Sequence, residues 1–129
     1  MQVFLSKEAS HSITALQCYL PNANTYGFLI GHKRGNMFFV EKILPSPKGF
    51  FPSPQKYFQL KKKLDDKILG FYSFRANDTQ LKKILTPFAY GKIFLSLDLD
   101  KSDRLEIKPF AIEHDQNFFL QPIKLKSAL

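Results

Sequence analysis

Ile68-Leu69-Gly70-Phe71-Tyr72-Ser73-Phe74 is a short run with a single polar side chain, a serine near its end. A strand with one wet face alternates apolar and polar residues. A run that does not alternate belongs to a strand covered on both faces. The stretch therefore predicts a central strand, and the rest of the chain has to supply its covers.

Downstream, Asn77 or Asp78 can cap a short helix through Leu81, Ile84 and Leu85, which Pro87 stops. Lys92–Leu99 alternates, with Ile93, Leu95, Leu97 and Leu99 on one side. Leu105–Ile112 and Phe118–Leu125 read as an antiparallel pair turning at His114-Asp115-Gln116-Asn117. Upstream, Ser53-Pro54 is an N-cap followed by proline, opening a helix with Tyr57, Leu60 and Leu64 on one face. Before it, Pro45, Pro47, Gly49 and Pro52 mark a loop. Tyr26–Gly31 and Met37–Leu44 are strand-like, and the intervening Lys33-Arg34-Gly35-Asn36 has hairpin chemistry. Val3-Phe4-Leu5 is a first strand. Ser6 then caps a helix with Glu8 in its first turn and Ile13, Leu16 and Leu20 as its buried stripe, ending at Pro21. The order is β-α-β-β-α-β-α-β-β-β. It predicts one domain over residues 1–129, a mixed α/β fold whose mainly antiparallel sheet is flanked by two or three helices.

With 129 residues, 44% of them hydrophobic and 23% charged, the chain can bury a core and is not a disordered segment. Its 14 Phe and 5 Tyr, without Trp, make that core aromatic. Cys18 is the single cysteine, which excludes an internal disulfide and reads as a small buried hydrophobe. No apolar run approaches the roughly 18 residues of a spanning helix, and the N-terminus lacks signal-peptide character. A cytoplasmic protein without membrane association is expected. The net charge of +8 is lopsided: residues 1–97 hold 14 Lys and Arg against 5 Asp and Glu, residues 98–129 hold 5 against 6. Such a charge speaks to nonspecific attraction rather than to fold.

The order of elements and several residues punctuating it resemble the JAMM/MPN domain family (JAB/MPN-type metallopeptidase-like, of cytidine-deaminase-like type). Members carry a strand reading roughly Glu-x-x-Gly-Leu-Leu-Leu-Gly. Asn24-Thr25-Tyr26-Gly27-Phe28-Leu29-Ile30-Gly31 is similar to it except at the first residue. A hairpin strand ending in proline follows, here Phe38–Leu44 and Pro45. The family's next motif is (Ile/Val)-(Ile/Leu/Val)-Gly-(Phe/Trp)-Tyr-His-Ser-His-Pro. Ile68-Leu69-Gly70-Phe71-Tyr72 resembles its first half, and Ser73-Phe74-Arg75-Ala76 replaces its second. The similarity covers about residues 1–112.

The resemblance implies metal-assisted amide hydrolysis in active members, with two histidines and a downstream aspartate on zinc and a glutamate as general base. Carried across, the base position falls on Asn24 and the histidine positions on Ser73 and Arg75. The aspartate position falls on Gln80 or Leu81, depending on the cap. Asparagine is no base at neutral pH, serine is a poor zinc ligand, and a guanidinium keeps its proton. The implied reading is a degenerate member with no catalytic residue, no metal and no cofactor, acting as a protein-interaction or scaffolding module. Arg75 remains as an anchor for an acidic group, and Phe50 and Phe51, adjacent in the proline loop, form a second partner surface. The expected partner is a protein, another such domain or a second copy included.

Two other readings stay open. Lys56, Lys61, Lys62, Lys63 and Lys67 form a basic patch that nucleic acid could use, although a solvated helix face is the commoner meaning of such a run. A hydrolase of altered chemistry in the remodelled cleft is the other. His11, His32 and His114 lie in separate elements without ligand spacing, and no Gly-x-Ser-x-Gly turn supports a serine nucleophile.

Overall fold

The computed structural model describes residues 1–16, 26–45, 59, 62–63, 67–75 and 78–127. Strand β1 (Gln2–Leu5) leads into helix α1 (Lys7–Leu16), then β2 (Tyr26–Arg34), β3 (Met37–Pro45) and β4 (Ile68–Phe74). Helix α2 (Asp78–Ile84) and a 3-10 turn (Pro87–Ala89) precede β5 (Ile93–Leu99), β6 (Leu105–Asp115), β7 (Asn117–Pro122) and β8 (Lys124–Ser127).

All eight strands join one sheet in the order β7-β6-β5-β4-β2-β3-β1-β8. The pairs β4/β5, β1/β3 and β1/β8 are parallel and the remaining ladders antiparallel. The central strand stands where its composition predicts: β4 is buried at all seven positions, between β2 and β5. Ser6 caps α1 as expected, accepting the Ala9 N–H at 3.0 Å while its hydroxyl donates to the Glu41 carbonyl at 2.6 Å. Of the helix expected from Ser53, only residues 59, 62 and 63 are described, and all three are helical.

A sheet flanked by two or three helices is not what forms. The described residues are mostly in strands, which form one eight-stranded sheet curled into a nearly closed barrel-like form. The last strand makes the difference. β7 pairs with β6 as far as Phe110↔Pro122, and the Ile123 N–H donates once more, to Pro109 O at 3.1 Å. The chain then crosses to the opposite edge, where β8 pairs with β1 from Gln2↔Lys124 onward. A single segment thus links both edges of the sheet, leaving little exposed ladder.

Each face of the curled sheet has its own core. One holds Val3, Leu29, Phe38, Val40, Tyr72, Phe74, Ile93 and Leu95 with Ala9 and Ile13 of α1. It draws on strands from both edges, as the inside of a barrel does. The other joins Phe28, Ile30, Ile68, Phe71, Phe94 and Ile112 of β6 to Ile84 of α2 and Ala89 of the 3-10 turn, with Leu120 of β7 packed against it. β4 is therefore covered on both faces as predicted, but one cover is largely the sheet's own curl. Close backbone approach at the centre requires Gly70, where an added Cβ would lie 1.9 Å from the Ile93 carbonyl oxygen.

Candidate functional site

The residues singled out by the motif cluster at the C-terminal end of β4. Ser73 sits in register with Tyr26 of β2 and Ser96 of β5. It is only 4% exposed, and its hydroxyl makes a long contact, 3.4 Å, to the Phe74 carbonyl. Alternation puts it on the same side as Phe71, beneath the outer core.

Arg75 ends the strand. Its N–H donates to the Leu97 carbonyl at 2.9 Å, continuing the parallel ladder, and its backbone turns into the left-handed region at φ 50. That conformation is uncommon for a long side chain and costs on the order of 1 kcal/mol. The guanidinium reaches along β5, where Nε donates to Asp98 Oδ1 at 3.1 Å. The same carboxylate oxygen accepts the Leu99 N–H at 2.8 Å, so Asp98 is fixed before Arg75 meets it. Both side chains are about half exposed, which places the pair on the rim.

Ser73 and Arg75 therefore share one strand end, while Asn24 lies outside the described residues. So do Phe50, Phe51, Lys56 and Lys61. Lys62, Lys63 and Lys67 are exposed. Lys67 opens the other end of β4, where it lines a cavity with Lys33 and Lys92. Helix α2 begins at Asp78, the acid of its first turn, and the alternative cap, Asn77, lies outside the described residues.

Asp98 was not singled out by the sequence, since only the parallel β4/β5 pairing brings it to Arg75. The one sequence signal was an acid on the polar side of an alternating strand. His32 is engaged with Glu41 at 2.7 Å, and His114 packs on the Phe118 ring at 4.6 Å. Among the described residues, no three His, Cys, Asp or Glu side chains gather as a metal would need. No helix among them is long and apolar enough to cross a membrane.

One residue before Ser73, Tyr72 points to the opposite face. It is fully buried in the inner core, and its hydroxyl has no hydrogen-bond partner among the described residues. Burial pushes this phenol well above its ordinary pKa.

No family model and no curated protein matches the chain. Among solved structures, it is similar to the protein DSY2949 from Desulfitobacterium hafniense, known from a solution structure. The TM-score is 0.68 at 20% identity, covering 98% of this chain and 94% of that one. At that identity the likeness concerns the fold alone.

Proposed function

We propose that this chain is a non-catalytic JAMM/MPN-like domain of the cytoplasm that has lost its metal site and serves as a protein-interaction or scaffolding module. One observation carries the reading: the Arg75–Asp98 pair at the end of β4, where the motif's second histidine would stand. A permanent cation there opposes a second cation, and its carboxylate partner is already committed. The buried Ser73 hydroxyl two residues earlier adds no metal affinity. The opening strand and helix and the hairpin strand ending at Pro45 are in keeping with the resemblance, whereas the nearly closed sheet departs from the fold it implies. Arg75 is half exposed and can exchange Asp98 for a carboxylate of a protein partner, another such domain or a second copy.

Elemental analysis of the purified chain after zinc loading and dialysis is expected to give far less than one zinc per chain, and an isopeptide peptidase assay no turnover. Partner capture from the native host is expected to weaken in Arg75→Ala or in the Phe50→Ala/Phe51→Ala double variant. Stoichiometric zinc at this strand end, or capture indifferent to both variants, overturns the reading.

A further inference from the structure

Among the described residues, the outer core covers only part of the outside of the sheet. It draws on β2, β4, β5, β6 and β7 with α2, and not on β1, β3 or β8. Phe4 of β1 and Phe39 of β3 belong to neither core, and both are half-buried. Their neighbours Val3, Leu5, Phe38 and Val40 point into the inner core, so alternation turns the two rings outward. Register sets Phe4 beside Phe39 and His32 of β2 on its other side. The three rings form a row. His32 stacks on Phe39 with centroids 5.0 Å apart and planes 13° apart, and Phe4 meets Phe39 at 5.8 Å and 55°.

Cations border this row. The Arg34 guanidinium carbon lies 6.0 Å from the centre of the Phe39 ring. On β8, Lys126 stands in register with Phe4 and Lys124 with Gln2, while Leu125 between them packs on the inner core. Two register slips fall side by side on β2, against β4 between Leu29 and Ile30 and against β3 between Ile30 and Gly31. The second makes Glu41 an extra residue of β3 and sets Lys42 opposite Ile30 of the outer core. Arg34, Lys42, Lys124 and Lys126 are all exposed. Glu41 is engaged at the ring edge of His32, 2.7 Å from Nδ1. That side chain keeps 44% of its surface exposed with one ring face on Phe39, so the exposure lies on the side away from Phe39. At one end the row opens into a cavity of about 280 Å³ whose lining includes Gln2, Arg34, Asn36 and Met37, where two amides can meet a base edge.

We propose that this open part of the sheet binds single-stranded nucleic acid. Bases stack along the His32–Phe39–Phe4 row, and phosphates meet Arg34, Lys42, Lys124 and Lys126. Aromatic rings beside a cationic track are the combination that recognises single strands without reading their sequence. A duplex keeps its bases stacked on one another and would use the cations alone. An anionic membrane would also be drawn to the cations. Insertion, however, needs apolar side chains that project, and these rings are half-buried and packed on one another. The surface shares no residue with the Ser73 and Arg75 strand end, so it stands or falls apart from the metal-site reading.

The test is fluorescence anisotropy of the full chain with a labelled mixed-sequence single strand of about 12 nucleotides, as DNA and as RNA, at low and moderate salt. Saturable, salt-dependent binding is expected, and a preference for either sugar supports the proposal. Lys124→Gln/Lys126→Gln should weaken binding about tenfold and lower the log–log salt slope by about 1.4, the share of two phosphates. Phe39→Leu removes the ring and keeps the charge, so it should weaken binding about fivefold or more with the slope unchanged. Thermal melting verifies that the variants fold. If Phe39→Leu does not, His32→Ala, at an exposed position, reads the same stacking row. Lys101→Gln, in the turn after β5, should leave affinity unchanged. Absence of saturable binding, equal affinity for a duplex of the same length, or a ring variant that binds as the wild type does overturns the proposal. So does binding to phosphatidylserine vesicles without binding to the oligonucleotide.

Discussion

The two ends of β4 lie six residues apart in sequence and differ in how charge is handled. At the C-terminal end a cation is placed by a strained backbone and met by a carboxylate already anchored to its own strand, so the rim there is locally neutral. At the N-terminal end three lysines face a common space with no acidic residue among the described lining. The motif resemblance draws attention to the first end, whereas the second is lined by lysines from three segments. What joins the ends is a strand with no spare volume, and it is the place to break both at once.

Gly70→Ala carries the largest expected effect. The new Cβ would lie 1.9 Å from the Ile93 carbonyl oxygen, and backbone atoms of that ladder cannot swing aside. Urea denaturation should show a loss of about 3 kcal/mol or outright failure to fold. A loss below about 1 kcal/mol would mean that β4 and β5 are not packed this tightly. Tyr72→Phe is expected to act oppositely and less. It removes a buried hydroxyl without a partner among the described residues, a group that costs about 1–3 kcal/mol when left unsatisfied, so the variant should gain on the order of 1 kcal/mol. It also has a pH signature. Burial raises the folded-state pKa, so the folded chain keeps a proton that the unfolded chain releases above about pH 10. The associated stability is complete below that pH and declines as pH rises beyond it. Melting temperatures compared at neutral and alkaline pH should show the wild type losing more than Tyr72→Phe. Equal losses would place the Tyr72 hydroxyl in contact with solvent.

How legible this was depends on what each feature needs. β4 could be read because its seven residues declare burial on both faces by composition alone. The Ser6 cap, the hairpin at Gly35-Asn36 and the alternating Ile93–Leu97 are likewise local, decided within a few residues by capping, turn and period-two chemistry. Closure of the sheet was not legible. Phe118–Leu125 reads as one strand, and nothing in its pattern says that pairing passes from β6 to β1 beyond Pro122. That switch depends on curvature, which the register slips at Leu29, Ile30 and Gly31 assist without a residue signature of their own. Lacking curvature, the sequence assigned the second cover of β4 to helices. The site divided in the same way: Ser73 and Arg75 came from a linear motif, whereas Asp98 and the lysine-lined cavity came from strands brought together by the fold.

The finest test separates two contributions at Arg75 that the neutral end of β4 combines. Its left-handed backbone costs about 1 kcal/mol, and its half-exposed pair with Asp98 returns about 0–1 kcal/mol after solvent screening. Arg75→Ala keeps the backbone burden and loses the pair, so stability should fall by less than about 1 kcal/mol, and less still at high salt. Arg75→Gly loses the pair as well but relieves the backbone, so it should be more stable than the alanine variant by about 1 kcal/mol. Chemical denaturation of both, at low and high salt, reads the difference directly. If glycine and alanine prove equal, no strain is stored at this position, and the left-handed turn is merely where the ladder stops. If glycine wins while partner capture fails in both, then Arg75 is kept for its charge against its own backbone preference, as a residue retained for binding would be.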